Sequence, residues 1–178
     1  LFFKAFVKFM QAGEPDFGKA CYVDSTPLPN EIENNPFNAL SCHEIGSSDT
    51  MVRLVLFIDE QSDLPVWYDI MPGNLLDINT IMNVVNDVAD SLNIVIDSLV
   101  LDAGYISRDL INAFHIGTDK TLIGRMPARR GYPFKELYWE VKPLIGKGKY
   151  SFVRKHHVYF GHRKEINLFG HKEYAYVY

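Results

Sequence analysis

Two short apolar runs in this 178-residue chain each stop on an aspartate. Cys21-Tyr22-Val23-Asp24 is followed by Ser25 and Thr26, and Leu99-Val100-Leu101-Asp102 by Ala103, Gly104 and Tyr105. Runs of this length and composition predict buried strands. A carboxylate at the carboxyl end of each sets two hard oxygen donors at the edge of an open α/β sheet, where such sheets bind their ligands. Two carboxylates there, sharing cations about 4 Å apart, suit two Mg²⁺ (or Mn²⁺) ions for in-line phosphoryl transfer, one activating a water or hydroxyl and the other stabilising the leaving oxygen. Magnesium keeps several waters, so two or three protein carboxylates suffice. The simpler reading of either aspartate is a turn cap, which acidic side chains provide routinely, and position alone does not separate the two.

The elements that would carry these residues follow from periodicity. Phe2, Phe6, Phe9 and Met10 predict an amphipathic helix within 1–19, and a strand starts at Ala20. Pro27 and Pro29 cannot donate ladder hydrogen bonds, so that strand is expected to end by Thr26. Residues 30–50 read as a loop, and 51–58 and 64–71 as a hairpin around the polar turn 59–63. After Pro72-Gly73-Asn74, a helix is spelled by Ile78, Ile81, Met82, Val85, Val88, Ala89 and Leu92, capped by Asn74 or Asp77. Strand 98–101, a helix 108–114 capped by Ser107, and a strand 119–123 complete the series. A hairpin feeding into β-α-β-α-β implies an α/β fold with a mixed sheet, flanking helices and right-handed crossovers.

From Arg125 onward prolines, glycines, aromatics and cations dominate, and 150–155, 157–160 and 174–178 read as antiparallel strands with Gly161 offering a turn. The net charge of −4 conceals a segregation: residues 1–119 hold 5 Lys and Arg against 18 Asp and Glu, whereas 120–178 hold 13 against 4. No apolar run reaches the roughly 20 residues of a membrane span, and two cysteines do not make a disulfide scaffold. A reducing cytoplasmic setting is the simpler expectation. The first residue, Leu1, and the strand-like end Tyr174 to Tyr178 suggest a piece of something longer.

Four motifs occur in one order: Tyr22-Val23-Asp24-Ser25-Thr26-Pro27-Leu28-Pro29, the hairpin 52–65, Leu-Pro-Val-Trp-Tyr followed by Pro72-Gly73-Asn74-Leu75-Leu76-Asp77, and Leu101-Asp102-Ala103-Gly104-Tyr105-Ile106-Ser107. Together they resemble the DDE transposases of bacterial insertion sequences, closely over 20–125 and by character beyond. The resemblance implies a ribonuclease-H-like mixed sheet of about five strands over 20–125, preceded by a helix or linker in 1–19. It also implies an antiparallel β-rich insertion, incomplete, over 126–178. Asp24 and Asp102 match the family's first and second catalytic, metal-holding aspartates. Gly73, Asn74 and Asp77 match a segment whose simpler role is a tight turn and helix cap. The family's third acid lies in a Tyr-x-x-Arg-x-x-x-Glu pattern with no match here: Arg154 falls one residue late after Tyr150, and Val158 occupies the glutamate's approximate place. A chain that stops inside the insertion explains this. The implied activity is metal-dependent cleavage and strand transfer on double-stranded DNA at transposon ends and target, by a homodimer in the full-length bacterial protein.

The basic half suits such a substrate. Arg125, Arg129, Arg130, Lys147, Lys149, Arg154 and Lys155 can neutralise phosphates, and the interleaved Tyr132, Tyr138 and Trp139 can stack on unpaired bases. His156, His157, His162 and His171 match no zinc spacing, and Cys42-His43 has no assignable orienting residue for a thiol nucleophile. Two alternatives stand beside the transposase. One is a non-catalytic remnant serving as a DNA-binding module. The other is a haloacid-dehalogenase-like phosphatase with Asp24 as nucleophile, which would want an aspartate where Thr26 stands.

Overall fold

The computed structural model describes residues 2–32, 34–40, 49–74, 78–115, 120–144, 147, 150–154 and 157–177. The chain forms two compact units, Leu1–Arg125 and Met126–Tyr178.

The first unit contains helix α1 (Phe2–Gly13), strands β1 (Ala20–Pro29), β2 (Ala39–Leu40), β3 (Thr50–Asp59) and β4 (Pro65–Pro72), helix α2 (Ile78–Leu92), strand β5 (Ser98–Leu101), helix α3 (Arg108–His115) and strand β6 (Thr121–Gly124). β3 pairs antiparallel with β1, β4 and β2, while β5 runs parallel to both β1 and β6. The principal strands lie in the order β4-β3-β1-β5-β6, an antiparallel meander joined to a parallel half, which is the ribonuclease-H-like arrangement. The sheet has six strands rather than five, because two residues of the segment read as a loop, Ala39 and Leu40, pair with Thr50 and Met51.

β1 continues through both prolines, with Pro27 opposite Arg53 and Pro29 opposite Met51. The Asn30 N–H donates across to Thr50 O at 3.0 Å, so the even-numbered amides at this end face β3 and the odd-numbered ones face away. The prolines sit at odd positions, and β5 has ended by Leu101, so no ladder bond is lost there.

One sheet face is apolar and buried: Cys21 and Val23 on β1, Val55 and Phe57 on β3, Leu99 and Leu101 on β5. α2 contributes Ile81, Val84, Val85, Val88 and Leu92 to the core, and α3 contributes Leu110, Ile111 and Phe114. α1 packs on α2 and β4, and α3 on α2 and β6. Val7 is the buried residue of α1, whereas Phe2 and Phe9 of the expected stripe are exposed and Phe6 stacks edge-on against Phe17. Ser107 caps α3, its Oγ accepting the Leu110 N–H at 3.0 Å. No described helix is long and apolar enough to cross a membrane.

The carboxylate of Asp59, only 3% exposed, closes the β3–β4 turn. It accepts the Gly18 N–H at 2.8 Å through one oxygen, and the Ser62 N–H and hydroxyl at 2.9 and 2.8 Å through the other. Asp59→Ala strands these donors and is expected to cost about 3 kcal/mol, read as a lower urea midpoint; an unchanged midpoint contradicts it.

Opposite Asp59 in the ladder, Cys21 is fully buried. Burial, and then the Asp59 charge, push its thiol up to about 12. At pH 8 only about one thiol in ten thousand is then ionised. Alkylation at Cys21, followed by peptide mass spectrometry, is expected only as fast as the unit unfolds; labelling of the native protein within minutes contradicts it. The shift is upward, so the neutral thiol favours the fold at lower pH and that contribution fades as pH rises past the free-thiol range of about 8.5.

The second unit contains α4 (Phe134–Val141), a 3-10 turn (Lys142–Leu144), and strands β7 (Tyr150–Arg154), β8 (His157–Leu168) and β9 (His171–Val177) in one antiparallel sheet ordered β7-β8-β9. Gly161 is not a turn: it lies inside β8, opposite Tyr150. β8 turns into β9 at Phe169-Gly170, both at positive φ, where the Gly170 N–H is held by Asn167 Oδ1 at 3.0 Å. α4, in a stretch expected to be β-rich, buries Leu137 and Val141 and packs on β9.

Candidate active site

The parallel β1–β5 ladder sets Val23 opposite Leu101, and the next residue on each strand is the aspartate. The pleat sends Cys21, Val23, Leu99 and Leu101 to the buried face and Asp24 to the other, and Asp24 and Asp102, the latter one residue past β5, are both exposed. β6 extends the row. Gly124 lies opposite Leu101, and the Arg125 N–H donates to Leu101 O at 3.4 Å, so Arg125 follows beside Asp102. Because β1 runs on to Pro29, Asp24 lies midway along it and not at its end; in register it falls in one row with Asp102 and Arg125, the residues just past the ends of β5 and β6, on strands about 4.8 Å apart.

A second set of residues connects the two acid-bearing segments. Asp24 Oδ1 accepts the Ser25 N–H at 2.8 Å. The Ser25 hydroxyl accepts from Arg53 Nη1 at 2.9 Å and from the Tyr105 hydroxyl. Tyr105 returns to the other acid through its main chain, its N–H donating to Asp102 O at 3.0 Å. Burial raises the Tyr105 phenol above its ordinary value; the Ser25 bond and Arg53 oppose the rise, and the Asp24 and Asp102 charges add to it. Arg53 is 6% exposed, and its Nε and Nη2 have no hydrogen-bond partner among the described residues. Those two donors form the side-on fork of a guanidinium.

Sequence reasoning assigned no role to Arg53, Ser25 or Tyr105. Arg53 did carry a signal, as the one cation in the apolar run 51–58. Ser25 and Tyr105 sit in two of the four motifs, but only the fold joins residues 80 apart in sequence.

The paired carboxylates offer oxygen donors alone, which suits Mg²⁺ or Mn²⁺ with retained waters and does not suit zinc. Among the described residues no three His, Cys, Asp or Glu gather as a metal group. Of the basic residues singled out, Arg125 joins the acid row, and Arg129, Arg130 and Lys147 are exposed in the second unit. The Arg129 guanidinium lies 5.5 Å from the Tyr132 ring centroid, and Lys142 Nζ 4.5 Å from that of Trp139. Arg154 ends β7. His162 Nε2 lies 3.2 Å from Leu144 O. Lys149, Lys155, Cys42, His43, His156 and Asp77 lie outside the described residues.

Strand order and direction define an α/β protein with a ribonuclease-H-like sheet. No model of a known protein family matches the chain, and no curated protein matches its sequence. Among solved structures it is similar to the piggyBac transposase in a synaptic complex with hairpin DNA, at 12% identity over 64% of this chain and 24% of that one, with a TM-score of 0.45. It is also similar to the Mos1 transposase in a paired-end complex with the left transposon end, at 9% identity over 78% of this chain and 46% of that one, TM-score 0.40. The Mos1 mariner paired-end complex with Mn gives 11%, 79%, 47% and 0.36 in the same order. The chain spans less than half the length of each of these proteins.

Proposed function

We propose that the chain is part of a DDE transposase of the bacterial insertion-sequence type, acting on phosphodiester bonds of double-stranded DNA at transposon ends and target. The observation that carries this reading is the row formed by Asp24, midway along β1, with Asp102 and Arg125 just past the ends of β5 and β6. The four sequence motifs in order support it. Asp24 and Asp102 together present exposed carboxylate oxygens, the donor set for a pair of Mg²⁺ or Mn²⁺ ions. Such ions, when bound, supply Lewis-acid activation of a water or 3′-hydroxyl and neutralise charge at the leaving oxygen. Arg125 offers a phosphate its guanidinium fork at the same edge. Arg129, Arg130, Lys147 and Arg154, with Lys149 and Lys155, would engage further phosphates. The full-length protein acts as a homodimer in the bacterial cytoplasm on nucleoid DNA.

The test is binding of a 40-base-pair duplex, read by fluorescence anisotropy across a salt series with and without Mn²⁺. Affinity is expected to fall steeply with salt and to rise with Mn²⁺. The double substitution Arg129→Ala and Arg130→Ala is expected to flatten the log–log salt slope by about 2, near 0.9 for each phosphate no longer neutralised. Salt-independent binding, or no Mn²⁺ uptake at millimolar concentration, overturns the reading.

A further inference from the structure

Arg53, Ser25 and Tyr105 take no part in the chemistry above, yet their arrangement is costly. A guanidinium that is 6% exposed, with two donors unpartnered among the described residues, is a cation removed from water with incomplete return. Among the described residues its guanidinium hydrogen bond goes to Ser25, the residue after Asp24. On the other side, Tyr105 closes a turn onto Asp102 O and reaches back to the same serine. The two exposed carboxylates, one midway along β1 and one just past the end of the neighbouring β5, are like charges that repel at close approach. β5 ends at Leu101, so Asp102 lies just outside the ladder, and nothing in the strand pairing itself fixes its distance from Asp24.

We propose that Tyr105, Ser25 and Arg53 are positioning residues that set the separation of Asp24 and Asp102: the tyrosine pins the turn after β5 onto β1, and the buried guanidinium anchors the serine that receives it. The inference rests on the reading of the two aspartates as a cation-holding pair. Because Asp24 Oδ1 is itself bonded to the Ser25 N–H, the serine's placement is coupled to the Asp24 side chain.

Two measurements on the whole chain test this: Mn²⁺ affinity from the free-ion paramagnetic resonance signal, and hydrogen exchange at the amides of 103–106. Tyr105→Phe keeps the ring and removes the hydroxyl. It is expected to weaken Mn²⁺ binding about tenfold, the scale of a missing outer-shell partner, and to speed exchange at 103–106. Arg53→Met is expected to weaken binding similarly, while Arg53→Lys, which keeps a charge able to reach Ser25, restores most of it. Asp59→Asn, at the other end of β3, is the control: it lowers the melting temperature and leaves Mn²⁺ affinity unchanged. Unaltered exchange and affinity in Tyr105→Phe overturn the proposal, as does an affinity that simply tracks stability in every variant, the Asp59 control included. If the unsubstituted chain takes up no Mn²⁺, the cation reading fails by itself. Exchange in Tyr105→Phe then decides the tie: faster exchange supports it and unchanged exchange overturns it.

Discussion

Asp102→Asn is expected to weaken Mn²⁺ binding by at least about a hundredfold while the protein stays folded. The substitution keeps the side chain's size and removes one unit of negative charge from the proposed cation site, the largest single electrostatic change available there. Asp24→Asn should act in the same direction, because Asp24 and Asp102 each follow the last paired residues of the β1–β5 ladder, Val23 and Leu101. Thermal stability is expected to hold or rise in both variants, since each relieves the repulsion between exposed like charges. The combination of weaker binding with an undiminished melting temperature separates a cation-holding pair from two turn caps, whose removal would lower stability and leave ion binding alone. Equal Mn²⁺ affinity in the variants and the unsubstituted chain contradicts the assignment.

Gly73→Ala is expected to destabilise the first unit by about 3 kcal/mol or more. A Cβ at Gly73 would lie 2.2 Å from Met51 O and 2.9 Å from Ala39 O, both main-chain atoms that cannot turn aside. The same residue donates its N–H to Phe37 O at 3.3 Å, so it pins the segment before α2 against β2 and β3. A melting point lower by about 8 °C or more should follow. Gly104→Ala is the contrast: its Cβ would meet nothing within 4 Å, and a change within about 0.5 kcal/mol is expected. A neutral Gly73→Ala contradicts the packing. The glycine of the Gly73-Asn74 motif thus has a steric reason to be there that is independent of any chemistry.

Local patterns were legible where the physics is local. The continuous apolar runs became β1, β3 and β5, the 3.6-residue repeat became α2, and Ser107 capped α3 as its hydroxyl predicts. The departures share one cause, which is that a neighbour decided the outcome. Pro27 and Pro29 extend a strand because the partner on their donor side has already ended. Gly161 stays in β8 because Tyr150 pairs with it, while the turn falls at Phe169-Gly170. α4 has only eight residues, rich in aromatics, and its two buried positions, Leu137 and Val141, gain their burial within a unit where it packs on β9.

Legible from the residues alone are the acid that follows each of two apolar runs, the cations of the second part of the chain, and the alternation of strands and helices that a mixed α/β sheet requires; that β1 runs on past Asp24 to Pro29 is not. Side-chain type and periodicity act over a few residues, so these features can be read without knowing what lies across the sheet. Only the tertiary structure decided that Asp24, Asp102 and Arg125 are neighbours, because parallel register is set by β1, β5 and β6 together. It alone brought Arg53, Ser25 and Tyr105 into one hydrogen-bonded chain. Those contacts span long loops of sequence, and they exist because burial of the apolar face fixes the pleat and leaves each polar side chain a single face to occupy.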